Sequence, residues 1–376
     1  MYFPKFVIKL IIRTFLRISF IFPIKKNKIL FMSYGGKQYS CNPKYIYECL
    51  KNDNRYDCIW CLPKDYITNK NIKRFNKSNW LLYVWHNLTA KMIITNDLPM
   101  PIIPYHKNQI IIHTGHGGGS YKKCGQEMFG SYFIKKDVKY AGGKITYSIA
   151  SCKASLKDFT NAYGVNSDHI LNFGMPRSDI LFSNDLNIIK KVYSHYNISD
   201  SMSIVLYAPT YRGKVTKSKS MNIDDLDKLL SELDEKFKRK HVFMIRTHHS
   251  VKDKFSEAAL NGNSYDDIQE LICAADILIT DYSSLIWDFC IIKKPFFLYL
   301  PDLQKYESDR GFTVPIEKWG FPFAESFDEL LLNIRNFDMA QHIASILYHT
   351  RMLGSYENGV ATKLCVDFIN NLMIKC

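Results

Sequence analysis

The residues best placed for chemistry lie in Ala274-Ala-Asp-Ile-Leu-Ile-Thr-Asp-Tyr-Ser-Ser-Leu-Ile-Trp-Asp288. An apolar run, Ile277 to Ile279, stops at Thr280-Asp281. After Tyr282, two hydroxyls, Ser283 and Ser284, open a segment with apolar residues at helical spacing: Leu285, Ile286, Phe289 and Ile292. The pattern predicts strand, tight turn and helix. Backbone N–H groups at a helix start are unpaired and sit at the positive end of the dipole, so they favour an anion, and flanking hydroxyls add donors. A phosphate over Ser283 and Ser284 is the chemistry implied. Asp281 or Ser283 acting as a plain helix cap explains the same residues, and the local pattern does not separate the two.

Other strand ends decide. After Ile110–Ile112 comes His113-Thr-Gly-His116-Gly-Gly-Gly-Ser-Tyr-Lys-Lys-Cys-Gly125, and after Ile170–Phe173 comes Gly174-Met-Pro-Arg177. Ala208-Pro-Thr-Tyr-Arg212 follows Ile204–Tyr207, and Arg246-Thr-His248-His249 follows Val242–Ile245. The triple glycine is neither a Walker loop nor a dinucleotide fingerprint, and a lone histidine is more often structural than catalytic. Four strand ends bearing His, Arg, Thr or Ser together are not what packing needs. They describe a phosphate-rich cleft between two domains.

The elements that must position these residues alternate. Lys28-Ile-Leu-Phe-Met-Ser-Tyr-Gly-Gly36 reads as a first strand ending in a Gly turn, and strand-like runs recur at Tyr56–Leu62, Met92–Thr95, Ile110–His113, Ile145–Ile149 and Ile170–Phe173 with helical patterns between several of them, which predicts a parallel sheet covered on both faces. Asn184 to Ser203 is polar and helix-like, and the pattern then restarts at Ile204–Tyr207, Val242–Ile245, Ile277–Ile279 and Phe296–Leu300. Two doubly wound, Rossmann-like domains are expected, over 27–185 and 186–376, with the last helix packing back on the first domain. In such sheets ligands bind beyond the carboxyl ends of the strands.

Composition agrees with two cores: 376 residues, 47% hydrophobic and 14% aromatic. A net charge of +14 points to an anionic partner, whether nucleic acid, membrane or phosphorylated substrate. Ten scattered cysteines suit a reduced cytosolic protein, and Cys58-Ile-Trp-Cys61 has no second Cys/His pair nearby to complete a zinc site. Residues 1–26 predict an amphipathic membrane-surface helix. Lys5, Lys9, Arg13 and Arg17 fall on one stripe, with Phe6, Ile8, Ile11, Phe15, Ile18 and Ile21 around the other side. Those charges argue against a spanning helix or a signal peptide. A basic helix packed on its own domain is the alternative.

Taken together, these blocks resemble the CDP-glycerol glycerophosphotransferase family, the enzymes that prime or polymerise teichoic acids and some bacterial capsules. The resemblance rests on His116-Gly117, Tyr207 to Arg212, Arg246 to His248 and Thr280 to Ser284, in matching order and spacing. Gly174-Met-Pro-Arg177, Asp288, Tyr306, Arg310-Gly-Phe312 and Glu357-Asn-Gly359 extend it, so that it covers nearly all of the chain after residue 28. It implies a GT-B fold and transfer of a polyol phosphate from a CDP-activated donor to an undecaprenyl-diphosphate-linked glycan or polymer. CMP would be released at the cytoplasmic membrane face, with no cofactor and no essential metal.

Under that resemblance His116 is the expected base, with His248 also catalytic. Thr210, Arg212, Arg246, His248, Thr280, Asp281, Ser283, Ser284 and Asp288 are expected to hold the donor phosphates, and His113, Gly117 and Arg177 to serve the acceptor. The family usually has Trp before its His-Gly pair and Thr-Pro after it. Here Gly115 and Gly118-Gly119 stand there instead, which predicts a more flexible loop. With no additional catalytic module, the chain resembles a stand-alone transferase. Two other readings are weighed: a GT-B glycosyltransferase using a nucleotide sugar, and a non-catalytic basic protein that binds membrane. Neither an RNA-binding aromatic block nor a helix-turn-helix pattern is present, so nucleic acid is not expected.

Overall fold

The computed structural model describes residues 2–66, 71–127, 131–210, 225–247 and 259–374. Two compact units divide the chain: 1–116 with 123–179 and 355–376, and 117–122 with 180–354. The first closes at Asp179 rather than at 185.

In the first unit seven parallel strands form one sheet. They are β1 (Lys25–Met32), β2 (Asp57–Leu62), β3 (Arg74–Asn76), β4 (Ala90–Thr95), β5 (Ile110–His113), β6 (Tyr147–Ile149) and β7 (Ile170–Leu171), in the order β3-β2-β1-β4-β5-β6-β7. The strands read as near-continuous apolar runs because both faces are covered. Ile29 and Phe31 join Trp60 and Ile94 on one face; Leu30 and Met32 join Ile59 and Ile93 on the other. The helices are α1 (Tyr2–Leu16), α2 (Cys41–Leu50), α3 (Trp80–Thr89), α4 (Tyr132–Gly142) and α5 (Ser155–Tyr163). α2 closes the first face with Ile46, Tyr47 and Leu50, and α3 the second with Tyr83, Val84 and Leu88.

α1 uses part of its basic stripe on its own unit. Lys9 pairs with Asp137 of α4, and Arg13 lies 3.7 Å over the Tyr140 ring while donating to the Pro101 carbonyl. Phe3 and Phe6 pack against Phe133. Two of the four expected membrane charges are thus engaged internally, because acidic and aromatic side chains of α4 lie opposite them. The other side keeps its apolar residues in solvent: Ile8, Ile11, Phe15, Ile18 and Ile21 are 55, 50, 67, 66 and 77% exposed.

The second unit repeats the plan with six parallel strands. β8 (Met202–Ala208), β9 (Lys240–Ile245), β10 (Leu260–Asn261), β11 (Ile277–Thr280), β12 (Phe296–Tyr299) and β13 (Phe323–Ala324) lie in the order β10-β9-β8-β11-β12-β13. Around them are α6 (Leu186–Tyr196), α7 (Leu226–Phe237), α8 (Ile268–Ala274), α9 (Leu285–Ile292), α10 (Leu303–Asp309), α11 (Phe327–Arg335) and α12 (Met339–Leu353). α13 (Ala361–Ile374) belongs to the first unit, where the Asp179 carboxylate accepts the Ala361 and Thr362 N–H groups at its start (3.0 and 2.6 Å). Both sheets reverse strand order beside their first strand, between β1 and β4 and between β8 and β11. Those two crevices are where this topology binds ligands.

The segment 117–122 crosses into the second unit as a packed strap, so the expectation of a flexible glycine loop is corrected. Thr313 N–H donates to the Tyr121 carbonyl at 3.0 Å, and the Tyr121 hydroxyl meets Nε2 of the enclosed His349 at 2.8 Å. Nδ1 of His349 faces the Trp319 carbonyl at 2.9 Å, so it carries the hydrogen and Nε2 accepts from Tyr121. Burial holds His349 down at about 4, which keeps it neutral for that role. The glycines are there for close approach. A Cβ on Gly117 would stand 2.6 Å from the Ser284 hydroxyl, and one on Gly118 would fall inside the Trp287 indole.

Gly118→Ala is therefore expected to lower stability by about 1–3 kcal/mol through overpacking. In the Trp287→Phe background the same change costs at least about 1 kcal/mol less. Urea unfolding of the four proteins measures this; strictly additive losses would mean that the strap does not rest on Trp287.

Candidate active site

The β5 end of the first unit carries an exposed histidine. His116, its side chain 58% exposed, points Nδ1 at the Asn96 carbonyl (3.2 Å), with an Asp97 carboxylate oxygen 3.8 Å away. A carbonyl only accepts, so Nδ1 holds the hydrogen and Nε2 is left with its lone pair. That is the tautomer a general base needs. Asp97 sits where it stabilises the imidazolium formed when Nε2 takes a proton. Tyr34 from the β1 end, its ring 5.7 Å from the imidazole, donates its N–H to the Asn96 side chain at 2.8 Å. The histidine thus stands at the crevice between β1 and β4.

Buried polar groups hold this loop. The Asn42 amide donates to the Thr114 and Gly115 carbonyls, both at 3.0 Å, and its oxygen accepts the Arg177 N–H at 2.9 Å. Gly115 has φ +62°, a conformation that costs a side chain strain. Glu357 accepts the Met175 N–H at 3.0 Å, joining two of the blocks singled out in the sequence.

Two expected acceptor residues lie inside the fold. Arg177 is 2% exposed, a fixed positive charge under the loop beside Tyr34 and Cys41. His113 is 4% exposed between the Phe159 and Tyr163 rings, and burial, aided by His116, depresses it to about 3. As the last residue of β5 it faces α5, so its side chain packs in the core. Gly117 belongs to the strap against Ser284.

In the second unit the β8 and β11 ends are tied together by Asp281. Both of its carboxylate oxygens lie 2.9 Å from the Thr210 N–H, and one accepts the Tyr282 N–H at 2.6 Å. Thr280 adds a hydroxyl bond to the Ala208 carbonyl at 2.6 Å. Tyr282, wholly enclosed, stacks on Tyr306 with centroids 3.8 Å apart and donates to Asp302. With the turn braced on both sides, the Ser283 hydroxyl accepts the Leu285 N–H at 3.3 Å, and Ser284 holds the N-cap position without a capping bond of its own. The Ser284 side chain makes no hydrogen bond among the described residues, and both serines are half-buried. Asp281 is therefore a brace across the sheet, while the helix start beyond it presents N–H groups and a hydroxyl to an anion.

Three expected donor residues are tied into the fold. Arg246 gives its guanidinium to the carbonyls of Gly262, Tyr265 and Asp266 (2.7, 2.5 and 3.2 Å) and so shapes the loop 262–266 beside the strand end. Asp288 is 0% exposed within α9 and Thr280 is 1% exposed. Arg212 and His248 lie outside the described residues. Sequence reasoning missed Asn96 and Asp97, whose signal was their position just after a strand, and Asn42 and Trp287, which carry no motif of their own.

Residues 14–371 match the family described as CDP-Glycerol:Poly(glycerophosphate) glycerophosphotransferase. The chain is 30% identical to the teichoic acid glycerol-phosphate transferase of Staphylococcus aureus, over 90% of this chain and 91% of that one. It is 29% identical to the teichoic acid poly(glycerol phosphate) polymerase of Bacillus spizizenii, over 88% and 89%. It spans only 42% of the Bacillus subtilis polymerase of the same name, at 30% identity. Among solved structures, the wall teichoic acid polymerase TagF superposes with a TM-score of 0.82 at 27% identity, over 94% of this chain and 90% of that one. A TagF variant soaked with CDPG superposes at 0.81. UDP-GlcNAc 2-epimerase of Neisseria meningitidis, at 13% identity and 0.53, shares the fold alone. With two parallel-sheet units of this topology and a match running through nearly all of both, the chain belongs to the CDP-glycerol:poly(glycerophosphate) glycerophosphotransferase family.

Proposed function

We propose that this protein transfers glycerol phosphate, or a related polyol phosphate, from a CDP-linked donor to a hydroxyl of a lipid-linked glycan or growing polymer. The observation that carries the reading is the pair of crevice sites. One is an exposed histidine with Nδ1 held at a carbonyl; the other is a braced, hydroxyl-flanked helix start. In this reading the acceptor oxygen bonds to the phosphorus bearing the polyol, and the bond from that phosphorus to the CMP oxygen breaks. The hydroxyl proton passes to Nε2 of His116. CMP leaves with the displaced negative charge, which the α9 start and Ser284 hold. Asp97 is a positioning residue for His116. No metal or other cofactor takes part in any step.

His116→Ala is expected to cut CMP release from CDP-glycerol by 10²–10⁴-fold while leaving donor affinity within about twofold, because a base serves the reaction and hardly the ground state. The wild-type rate persists in EDTA. A purified, folded variant that keeps more than about a tenth of the rate would remove His116 from the role.

We also place the protein on the cytoplasmic membrane face. No helix of the described residues is long and apolar enough to cross a membrane. The support is the apolar band of α1 together with Trp80, Leu81 and Trp85 of α3, which are 42, 79 and 38% exposed. Tryptophans at such a border suit the headgroup region. Lys5 and Arg17 add about 1 kcal/mol each near anionic lipid. The triple change Ile11→Glu, Phe15→Glu, Ile18→Glu keeps the α4 contacts of α1 and is expected to abolish flotation with phosphatidylglycerol vesicles. Undiminished flotation would show that this band is not the membrane face.

A further inference from the structure

We propose that the groove between α1, α4 and the segment 98–101 holds the hydrocarbon chain of the lipid-linked acceptor. The inference rests on the transferase reading above and adds where its acceptor's lipid sits. The groove encloses about 410 Å³, a volume typical of small-molecule sites. Its floor is apolar, with Phe6, Leu98, Met100, Phe133, Val138 and Ala141, while Tyr2, Lys5, Lys9 and Asp137 bring polar groups to its lining. The apolar side chains that dominate it offer no hydrogen-bonding group to a sugar or a nucleotide, so a hydrocarbon is the occupant that their chemistry recognises. Lys9 at the rim is already paired with Asp137, whereas the exposed Lys5 forms no ion pair among the described residues. A lone ammonium beside an apolar trough matches a lipid whose headgroup is a diphosphate.

Position ties the groove to the acceptor and not to bulk lipid. The wall residue Leu98 directly follows Asn96 and Asp97, the two residues that hold His116. Two residues of chain span at most about 7 Å. A wall of the groove and the residues that hold His116 thus belong to one short stretch of chain. On its other side α1 carries the exposed Ile8, Ile11 and Phe15, so the groove lies beside the face proposed to meet the bilayer.

The test uses the full chain on vesicles of phosphatidylglycerol and phosphatidylcholine containing a diazirine-bearing polyprenyl diphosphate. After irradiation, adducts are expected on peptides covering 98–101 and 132–141, competed by unlabelled polyprenyl diphosphate and not by excess phosphatidylglycerol. Met100→Trp, which fills the groove from its exposed rim, and Lys5→Glu each reduce that labelling about tenfold, the worth of some two buried methylene groups. In transfer assays Met100→Trp raises KM for a long-chain acceptor about tenfold relative to KM for a short, water-soluble analogue.

Adducts confined to the exposed face of α1, or equal competition by phosphatidylglycerol, would overturn the proposal, as would unchanged labelling in both folded variants. If the wild type transfers to the short analogue while the groove stays unlabelled, the groove assignment falls and the transferase reading stands. If it transfers to no acceptor at all, the transferase reading falls and takes the acceptor assignment with it, even where label reaches the groove.

Discussion

The Asp281 carboxylate is the interaction on which the second unit's site depends. β8 and β11 are parallel neighbours in the sheet, and their chains leave it side by side, one into Thr210 and one into Ser283. A single carboxylate accepting from Thr210 and Tyr282 fixes the gap between them. Were it absent, buried N–H groups would be left unpaired at a cost of about 1–3 kcal/mol each, and the α9 start would lose its orientation. Tyr282 stacked on Tyr306 and the hydroxyl of Thr280 support the same turn from inside. The proposed anion site is thus made largely of backbone, held in place by the Asp281, Tyr282 and Thr280 side chains.

The first unit solves the same topological problem with an amide. Asn96 receives the Tyr34 N–H through its side chain and offers its carbonyl to His116, so one residue links the β1, β4 and β5 ends. The chain then runs directly from His116 into the strap, whose glycines let backbone lie on Ser284 and Trp287. Bulk at 117 or 118 is excluded by these contacts, which at 118 accounts physically for the chain's departure from the family's usual residue. The tautomer at His116 and the fit of the strap are consequences of local packing and not of a catalytic motif.

Much of this was legible in the sequence. Apolar runs of four or more residues marked the long strands of both sheets, and the strand, turn and helix around Thr280 to Trp287 were readable from hydroxyl placement and helical spacing. The short edge strands β3, β10 and β13 were not, since two or three residues show no periodicity. Side-chain roles were harder. His113 and His116 differ by three positions, yet the first ends β5 buried against Phe159 while the second, past the turn at Gly115, is exposed. Arg246 reads as a phosphate ligand by its type alone, whereas its donation to three carbonyls is visible only in the fold. The basic stripe of α1 was correctly periodic, but nothing local could reveal that Asp137 and Tyr140 lie opposite Lys9 and Arg13.

The central claim is that the braced α9 start binds the phosphates of a CDP-linked polyol. Calorimetric titration of the protein with CDP-glycerol, CDP-ribitol and a UDP-sugar tests it most directly, repeated with Ser283→Ala and Ser284→Ala. The account expects a CDP-polyol to bind, the UDP-sugar not to, and each serine change to weaken binding by about 1 kcal/mol, roughly fivefold. Tight binding of the UDP-sugar without the CDP-polyols, or CDP-polyol affinity unchanged in both serine variants, would contradict it.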